Sequence, residues 1–157
     1  MMKLMAGLML SLVTATAAQA AGPIGVGLIL GTPVGVTGNY KLDEGHSIDL
    51  ALAWRFYPGT ETYLHSTYLW RFPDYYRVEE FPMLFYAGVG GRLYSTTRET
   101  NKPDTGRTYL GVRTSVGTSY TLPKAPVEFF GELALTLDLT PSTAASIGAG
   151  LGGRFYF

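Results

Sequence analysis

The sequence contains no cysteine and only two histidines. A chain without thiols has no disulfide framework, no cysteine for lipid attachment and no thiolate nucleophile. Two histidines without cysteine also do not supply the ligand clusters that metal sites need. The glycine-rich stretches 88–91 and 148–153 alternate like strands rather than preceding helices, which argues against a phosphate-binding loop. We therefore expect no metal and no cofactor.

Long apolar runs and charge are also scarce. Beyond the first 20 residues no apolar run approaches the roughly 20 residues of a transmembrane helix, so any membrane span has to be built from strands. Charged residues make up 15% of the chain, against a usual share of about a quarter. Basic and acidic residues number 12 each, so the composition does not suggest nucleic acid as a partner.

The first 20 residues have the pattern of a secretory signal peptide. Lys3 supplies a positive charge, residues 4–13 form a short apolar core, and Ala18-Gln19-Ala20 is an A-x-A cleavage site. We expect cleavage after Ala20 and a single exported domain that comprises residues 21–157.

The last segment of the chain shows strict alternation. Residues 147–157 place Ile, Ala, Leu and Phe side chains on one face and Gly, Arg and Tyr on the other. A strand of about 10 residues with one apolar and one polar face is the repeating unit of outer-membrane barrels. Its apolar end also resembles the signal by which bacterial barrels are recognised for assembly, which predicts this role for Leu151, Gly153, Phe155 and Phe157.

Eight segments alternate in this way, and turn residues separate them. Large apolar side chains occupy one face of nearly every segment, whereas the charges lie on the other. A soluble barrel would have the opposite arrangement. The pattern therefore predicts an all-β fold, an eight-stranded antiparallel up-and-down transmembrane β-barrel, with both ends in the periplasm and a long outer loop at 95–107. The predicted strands are 24–30, 34–42, 47–56, 62–72, 81–94, 108–121, 127–138 and 147–157.

Aromatic residues fall near the two predicted rims of this barrel. They form two girdles of the kind found at membrane interfaces. The predicted periplasmic girdle is Tyr40, Phe72, Phe81, Tyr120 and Phe157, and the predicted outer girdle is Trp54, Phe56 and Tyr57.

The inward faces carry charges of both signs. An eight-stranded barrel is just wide enough inside for side chains, and a buried charge without a partner costs several kcal/mol. We therefore expect an ion-paired network that fills the lumen, with a gated ion-conducting lumen as the alternative. The predicted network is Asp49, Arg55, Arg92, Arg113, Glu128, Glu132, Asp138 and Arg154.

Four stretches carry a family resemblance: residues 27–33 (GLILGTP), 87–92 (AGVGGR), 137–143 (LDLTPST) and 150–157 (GLGGRFYF). Together they resemble a family of small outer-membrane barrels of spirochaetes and other Gram-negative bacteria. That family is similar in architecture to the membrane domain of outer membrane protein A. The shared motifs are structural, so the resemblance implies a fold and no catalytic residue.

Enzymatic activity is not expected. Barrel hydrolases that act on lipids resemble one another in placing His and Ser two positions apart, on one face of a strand. Here His46-Ser47 and His65-Ser66 are adjacent and should face opposite ways.

We therefore expect a monomeric, structural or surface-exposed protein of the bacterial outer membrane. Its partners would be outer-membrane lipid and, during biogenesis, the barrel assembly machinery. The alternatives are a narrow channel, a lipid-modifying enzyme, or a periplasmic carrier with a lipocalin-like cavity.

Overall fold

The computed structural model describes residues 22–32, 34–55, 60–73, 77–78, 81–97 and 106–157, without the side chains of residues 55, 77–78 and 81–82. The predicted signal peptide and the girdle residues Phe56 and Tyr57 lie outside the described residues. The side chains of Arg55 and Phe81 lie outside them as well, so the predictions for these four residues and the leader stay predictions.

All regular structure among these residues is β-strand. No helix in these ranges is long and apolar enough to cross a membrane. The strands are β1 (Ile24–Gly31), β2 (Gly35–Lys41), β3 (His46–Arg55), β4 (Thr60–Phe72), β5 (Arg77–Val78), β6 (Phe81–Thr97), β7 (Arg107–Thr121), β8 (Val127–Thr140) and β9 (Ala144–Tyr156).

Eight of these strands form a closed antiparallel ring. Each long strand pairs with the long strands before and after it in the chain. The two-residue strand β5 forms only a short hairpin with β6, so β4 pairs directly with β6. The first and last strands close the ring, with Gly25 opposite Tyr156 and Gly31 opposite Gly150. The predicted eight-stranded antiparallel up-and-down barrel is confirmed.

Most predicted strand boundaries lie within two residues of the observed ones, and two are wrong by three residues. Strand β6 continues to Thr97 inside the predicted loop, where Ser95 pairs with Thr108 of β7. Strand β9 begins at Ala144, three residues before the predicted start. Both extensions lack the apolar alternation by which the other strands were predicted. They are strands nevertheless, because backbone hydrogen bonding to a long neighbouring strand does not require alternating side chains.

The two faces of the wall differ in chemistry as the alternation predicts. On β8, Glu132 is 7% exposed whereas its neighbour Leu133 is 57% exposed. The same contrast recurs around the ring, with Leu, Val, Ile and aromatic side chains outside and polar side chains inside. The buried apolar cluster is correspondingly small and consists of Ile29, Ala51 and Phe130.

Glycines on the inner face make room for large side chains. A Cβ on Gly25 would lie 2.7 Å from the ring of Tyr156, and one on Gly111 would lie 2.6 Å from the carboxylate of Asp138. The narrow interior can therefore hold tyrosine and charged side chains, because the positions next to them are glycines, which have no side chain.

Candidate functional site

The polar interior is the candidate site, and its side chains form three layers along the barrel axis. The basal layer lies at the end where β1 begins and β9 ends, and it contains Asn39, Lys41, Ser47, Arg71, Glu128 and Tyr156. The middle layer contains Thr37, Asp49, His65, Thr67, Arg113, Glu132 and Arg154. The apical layer, at the opposite end, contains Tyr63, Arg92, Asp138 and Ser146.

The basal layer centres on Tyr156. Its hydroxyl donates to Oε2 of Glu128 in a short hydrogen bond and lies 3.1 Å from Oδ1 of Asn39. The ammonium of Lys41 lies 3.6 Å from the centre of the Tyr156 ring, a cation–π contact. Nη2 of Arg71 lies 3.9 Å from Oε1 of Glu128. Strands β2, β4, β8 and β9 therefore meet at this end of the lumen.

The middle layer contains an ion pair between Arg154 of β9 and Asp49 of β3. Arg154 also donates to Oγ1 of Thr37, at 3.2 Å from Nε and 2.8 Å from Nη2, and its guanidinium lies 3.9 Å from the centre of the Phe130 ring. Asp49 in addition accepts from Nδ2 of Asn39 at 3.2 Å. Because strands β1 and β2 separate β9 from β3 in the ring, this pair crosses the lumen.

A second ion pair of the middle layer joins Arg113 of β7 to Glu132 of β8. The other terminal nitrogen of Arg113 donates to Oγ1 of Thr67 on β4 at 3.0 Å. All three residues are buried, and Arg113 is 2% exposed. Since β6 separates β7 from β4, the contact with Thr67 links two strands that are not neighbours in the ring.

His65 lies in the same layer and is 1% exposed. Its Nδ1 is 3.3 Å from the Tyr63 hydroxyl, and its Nε2 is 3.5 Å from Oδ2 of Asp49. Nε2 makes no hydrogen bond with any described residue. The histidine therefore links the Arg154–Asp49 pair to the apical layer.

The apical layer is built on Arg92 and Asp138. Nη2 of Arg92 donates to both carboxylate oxygens of Asp138, at 2.6 and 2.5 Å, while Nη1 donates to Oγ of Ser146 at 3.2 Å. Above this pair, a cavity of about 1100 Å³ opens at the apical end of the barrel. This space is the apical cavity, and Tyr63, Tyr94 and Tyr109 are among the described residues that line it.

Seven of the eight charged residues predicted for the lumen have described side chains. The structure brings six of them together as Arg154–Asp49, Arg113–Glu132 and Arg92–Asp138. The seventh, Glu128, contacts Tyr156 and Arg71 instead of another predicted residue. The eighth, Arg55, has no described side chain.

Sequence reasoning missed several members of these layers. Tyr156 and Asn39 lie on inward faces by alternation, but they are uncharged and so were not counted in the network. His65 and Arg71 lie on β4, where Tyr63 and Leu69 make the apolar face ambiguous. Leu64, Tyr68 and Trp70 all stand at even-numbered positions. This shared parity is the signal that could have placed the odd-numbered His65 and Arg71 inside.

The residues of the predicted assembly signal follow the outer face of β9. Leu151 is 69% exposed, and the rings of Phe155 and Phe157 stack with centres 6.5 Å apart. Gly153 lies beside Phe129, opposite it on β8. Their role in assembly stays a prediction.

The two histidine–serine pairs are split across the wall. The His46 side chain is 40% exposed and contacts Asp43, whereas Ser47 is buried and bonds to Asn39. His65 is buried, whereas Ser66 is exposed. Neither pair has the geometry of a nucleophile and its base. Among the described residues there is also no group of three or more His, Asp or Glu side chains that could hold a metal ion.

The fold is similar to two solved bacterial structures. The N-terminal β-barrel domain of Pseudomonas aeruginosa OprF matches with a TM-score of 0.69 at 12% identity, over 88% of this chain and 100% of that one. Neisserial surface protein A (NspA) matches with a TM-score of 0.59 at 14% identity, over the same shares. No family model and no curated protein matches the sequence. The chain therefore shares its fold with these barrels, and the finer resemblance to a spirochaete family stays a prediction.

Proposed function

We propose that this protein is a small integral barrel of the bacterial outer membrane, with a structural or surface role and a lumen closed by paired charges. The observation that carries the proposal is the inverted distribution of its side chains. Apolar residues cover the outside of a closed barrel, and ion pairs occupy the inside.

The outer surface supports the membrane location. Residues such as Leu28, Leu133 and Leu151 are more than half exposed and form a continuous apolar belt with their neighbours. A surface of this kind is far larger than the apolar patches of monomeric soluble proteins and suits contact with lipid acyl chains. It also argues against a lipocalin-like carrier, whose apolar face would line the interior.

The contacts across the lumen support a closed interior. Arg154 reaches from β9 to β3, and Arg113 reaches Thr67 on β4. An ion passing along the axis would have to displace these groups, and separating a buried pair costs several kcal/mol. The lumen network therefore stabilises the wall and blocks the axis.

The remaining parts of the proposal concern biogenesis. A leader cleaved after Ala20 would deliver the chain to the periplasm, and the end of β9 would be recognised by the barrel assembly machinery. Lipid would then be the main partner of the folded monomer. Membrane fractionation and heat-modifiable gel migration test this location, and recovery of the protein in the soluble periplasmic fraction would contradict it.

Single-channel recording in planar bilayers tests the closed lumen. We expect rare or absent openings for the unmodified protein and frequent openings for Arg113→Ala, because that change removes the guanidinium between Glu132 and Thr67. Lys124→Ala, in the exposed turn between β7 and β8, is the matched control and should behave like the unmodified protein. Each variant is first checked for heat-modifiable migration, so that misfolded material is not recorded.

A narrow channel is the second candidate, and the apical cavity favours it, since this space already occupies one end of the axis. Steady conductance by the unmodified protein would support the channel and contradict the closed lumen.

A lipid-modifying enzyme is not supported by the split histidine–serine pairs. Mass analysis of lipid A and phospholipid after exposure to the protein tests that remaining possibility.

A further inference from the structure

The apical cavity has the size and form of a ligand site. Its volume of about 1100 Å³ lies just above the range of roughly 300–1,000 Å³ typical of small-molecule pockets. The floor is the rigid Arg92–Asp138 pair, and the walls belong to paired strands of the barrel. Such a site is formed before a ligand arrives.

Tyrosines line one side of the cavity. Tyr94 and Tyr109 are cross-strand neighbours whose ring centres are 5.9 Å apart at an angle of 37°. Tyr63 contributes a third ring, which lies 5.8 Å from the guanidinium carbon of Arg92. Half-buried aromatic faces offer large apolar contact area together with a polar hydroxyl.

The charges of those lining residues that the structure describes balance. Arg92 and Arg107 are matched by Glu61 and Asp138, and both carboxylate oxygens of Asp138 already accept from Arg92. An anion would therefore meet as many carboxylates as cations. No described group of carboxylates and histidines could hold a metal ion here. The balance favours a ligand without net charge.

The cavity nevertheless offers many hydrogen-bonding groups. Ser146, Thr136 and Thr96 present hydroxyls, which both donate and accept. A suitable ligand would combine several hydroxyls with an apolar face.

We propose that the apical cavity binds a neutral saccharide. A pyranose ring presents hydroxyls around its edge, which suit the Arg92–Asp138 floor and the threonine and serine hydroxyls, and a C–H face that packs on tyrosine rings. The saccharide is either free in solution or part of a glycolipid, since both present the same chemistry. This site goes beyond the proposed structural role and does not depend on whether the lumen conducts.

Saturation-transfer NMR on the chain from residue 21 to 157, refolded in dodecylphosphocholine, tests the proposal, because this detergent carries no sugar. The probes are glucose, N-acetylglucosamine, lactose and maltotriose. We expect transfer to at least one of them, and roughly 2- to 10-fold weaker binding for Tyr109→Ala, given the usual contribution of an aromatic contact. Ser146→Ala, which leaves all the rings in place, should weaken binding as well.

Tyr40→Ala is the matched control. Tyr40 is 48% exposed on the outer face near the basal rim, far from the cavity, so its replacement should leave binding unchanged. A parallel arm compares lipopolysaccharide with lipid A that lacks the glycan. A preference for the former identifies a glycolipid source, whereas binding of the soluble sugars alone identifies a free one.

Three results would overturn the proposal. They are the absence of transfer to all four sugars and to the glycan of lipopolysaccharide, binding that Tyr109→Ala leaves unchanged, or equal losses for Tyr109→Ala and Tyr40→Ala. Heat-modifiable migration of each variant ensures that a loss reflects the cavity and not misfolding.

Discussion

At the scale of single residues, the interior depends on opposite charges in direct contact. Arg113 and Glu132 are both buried and bonded to each other, and Thr67 satisfies a further donor of the guanidinium. Such a pair stabilises a protein little more than an apolar pair of the same volume would. Removing one partner is nevertheless strongly destabilising, because the remaining charge stays buried without a partner. Replacing Arg113 and replacing Glu132 should therefore not have additive effects on the free energy of unfolding.

Glu132→Leu should lower the free energy of unfolding by about 3–5 kcal/mol, because Arg113 stays charged and buried. The double variant Arg113→Met/Glu132→Leu should recover most of this loss. Urea unfolding in lipid vesicles, followed by tryptophan fluorescence, measures both. Glu44→Leu, in the exposed turn after β2, is the control and should change stability by less than about 0.5 kcal/mol. Additive losses would show that the pair is not coupled.

The turn between β2 and β3 contains an exposed carboxylate with a partner. Nδ1 of His46 lies 2.9 Å from Asp43, and the Gly45 amide donates to the same oxygen at 2.7 Å. The hydrogen bond with His46 holds the pKa of Asp43 below its ordinary value. The carboxylate therefore stabilises this turn at pH values above its unfolded pKa, and the contribution is lost as the pH falls through the lower, folded pKa.

His46→Gln should raise the pKa of Asp43 toward the ordinary aspartate value. A carbon-13 NMR titration of the side-chain carboxyl measures the midpoint directly. The unmodified protein, titrated under the same conditions, is the reference. An unchanged Asp43 midpoint in the variant would mean that the histidine does not hold the carboxylate.

At the scale of strands, closure between β1 and β9 depends on close packing. Gly25 faces inward directly opposite Tyr156, whose ring fills the space that a side chain at position 25 would need. Gly38, on the adjacent strand β2, faces outward, and a Cβ there would meet only one backbone oxygen, at 3.8 Å. The two glycines therefore differ in what a methyl group would do.

Gly25→Ala should destabilise the barrel by about 1–3 kcal/mol, as overpacking of a dense interior generally does. Gly38→Ala should be close to neutral or slightly stabilising, since it adds no clash and restricts the unfolded chain. Urea midpoints of the two variants give the comparison. Equal midpoints would show that the ring of Tyr156 can move aside without loss.

At the scale of the whole molecule, the outer face has to match its surroundings. Leu133 lies near the middle of β8 and Leu139 near its apical end, and both side chains are more than half exposed. In a bilayer these two positions would differ in depth although they are equally accessible. A charge is therefore a sensitive probe of whether the belt faces lipid.

Leu133→Arg should cost about 2–4 kcal/mol in vesicles, whereas Leu139→Arg should cost about 0–1 kcal/mol, because the penalty falls from the bilayer midplane toward the interface. Unfolding titrations in phosphatidylcholine vesicles measure the difference. If both variants are as stable as the unmodified protein, the belt does not lie in hydrocarbon.

Much of the architecture was predictable because it depends on parity along each strand. Alternation placed Leu133 outside and Glu132 inside without knowledge of any other strand. It failed to mark strand ends such as Ser95–Thr97, where polar residues occupy both faces. On β4 the mixture of Tyr63, Leu64 and Leu69 hid the inward positions of His65 and Arg71.

The sequence by itself determined the number of barrel strands, their order in an up-and-down ring and, on strands other than β4, which side chains face the lumen. Only the tertiary structure decided the partners: Arg154 with Asp49, Arg113 with Glu132, Arg92 with Asp138, and Glu128 with Tyr156. Facing inward is a local property of period two, whereas the height at which two strands meet depends on the stagger of the closed ring. Stagger is set by all the strand registers together, so no single segment of the chain contains it.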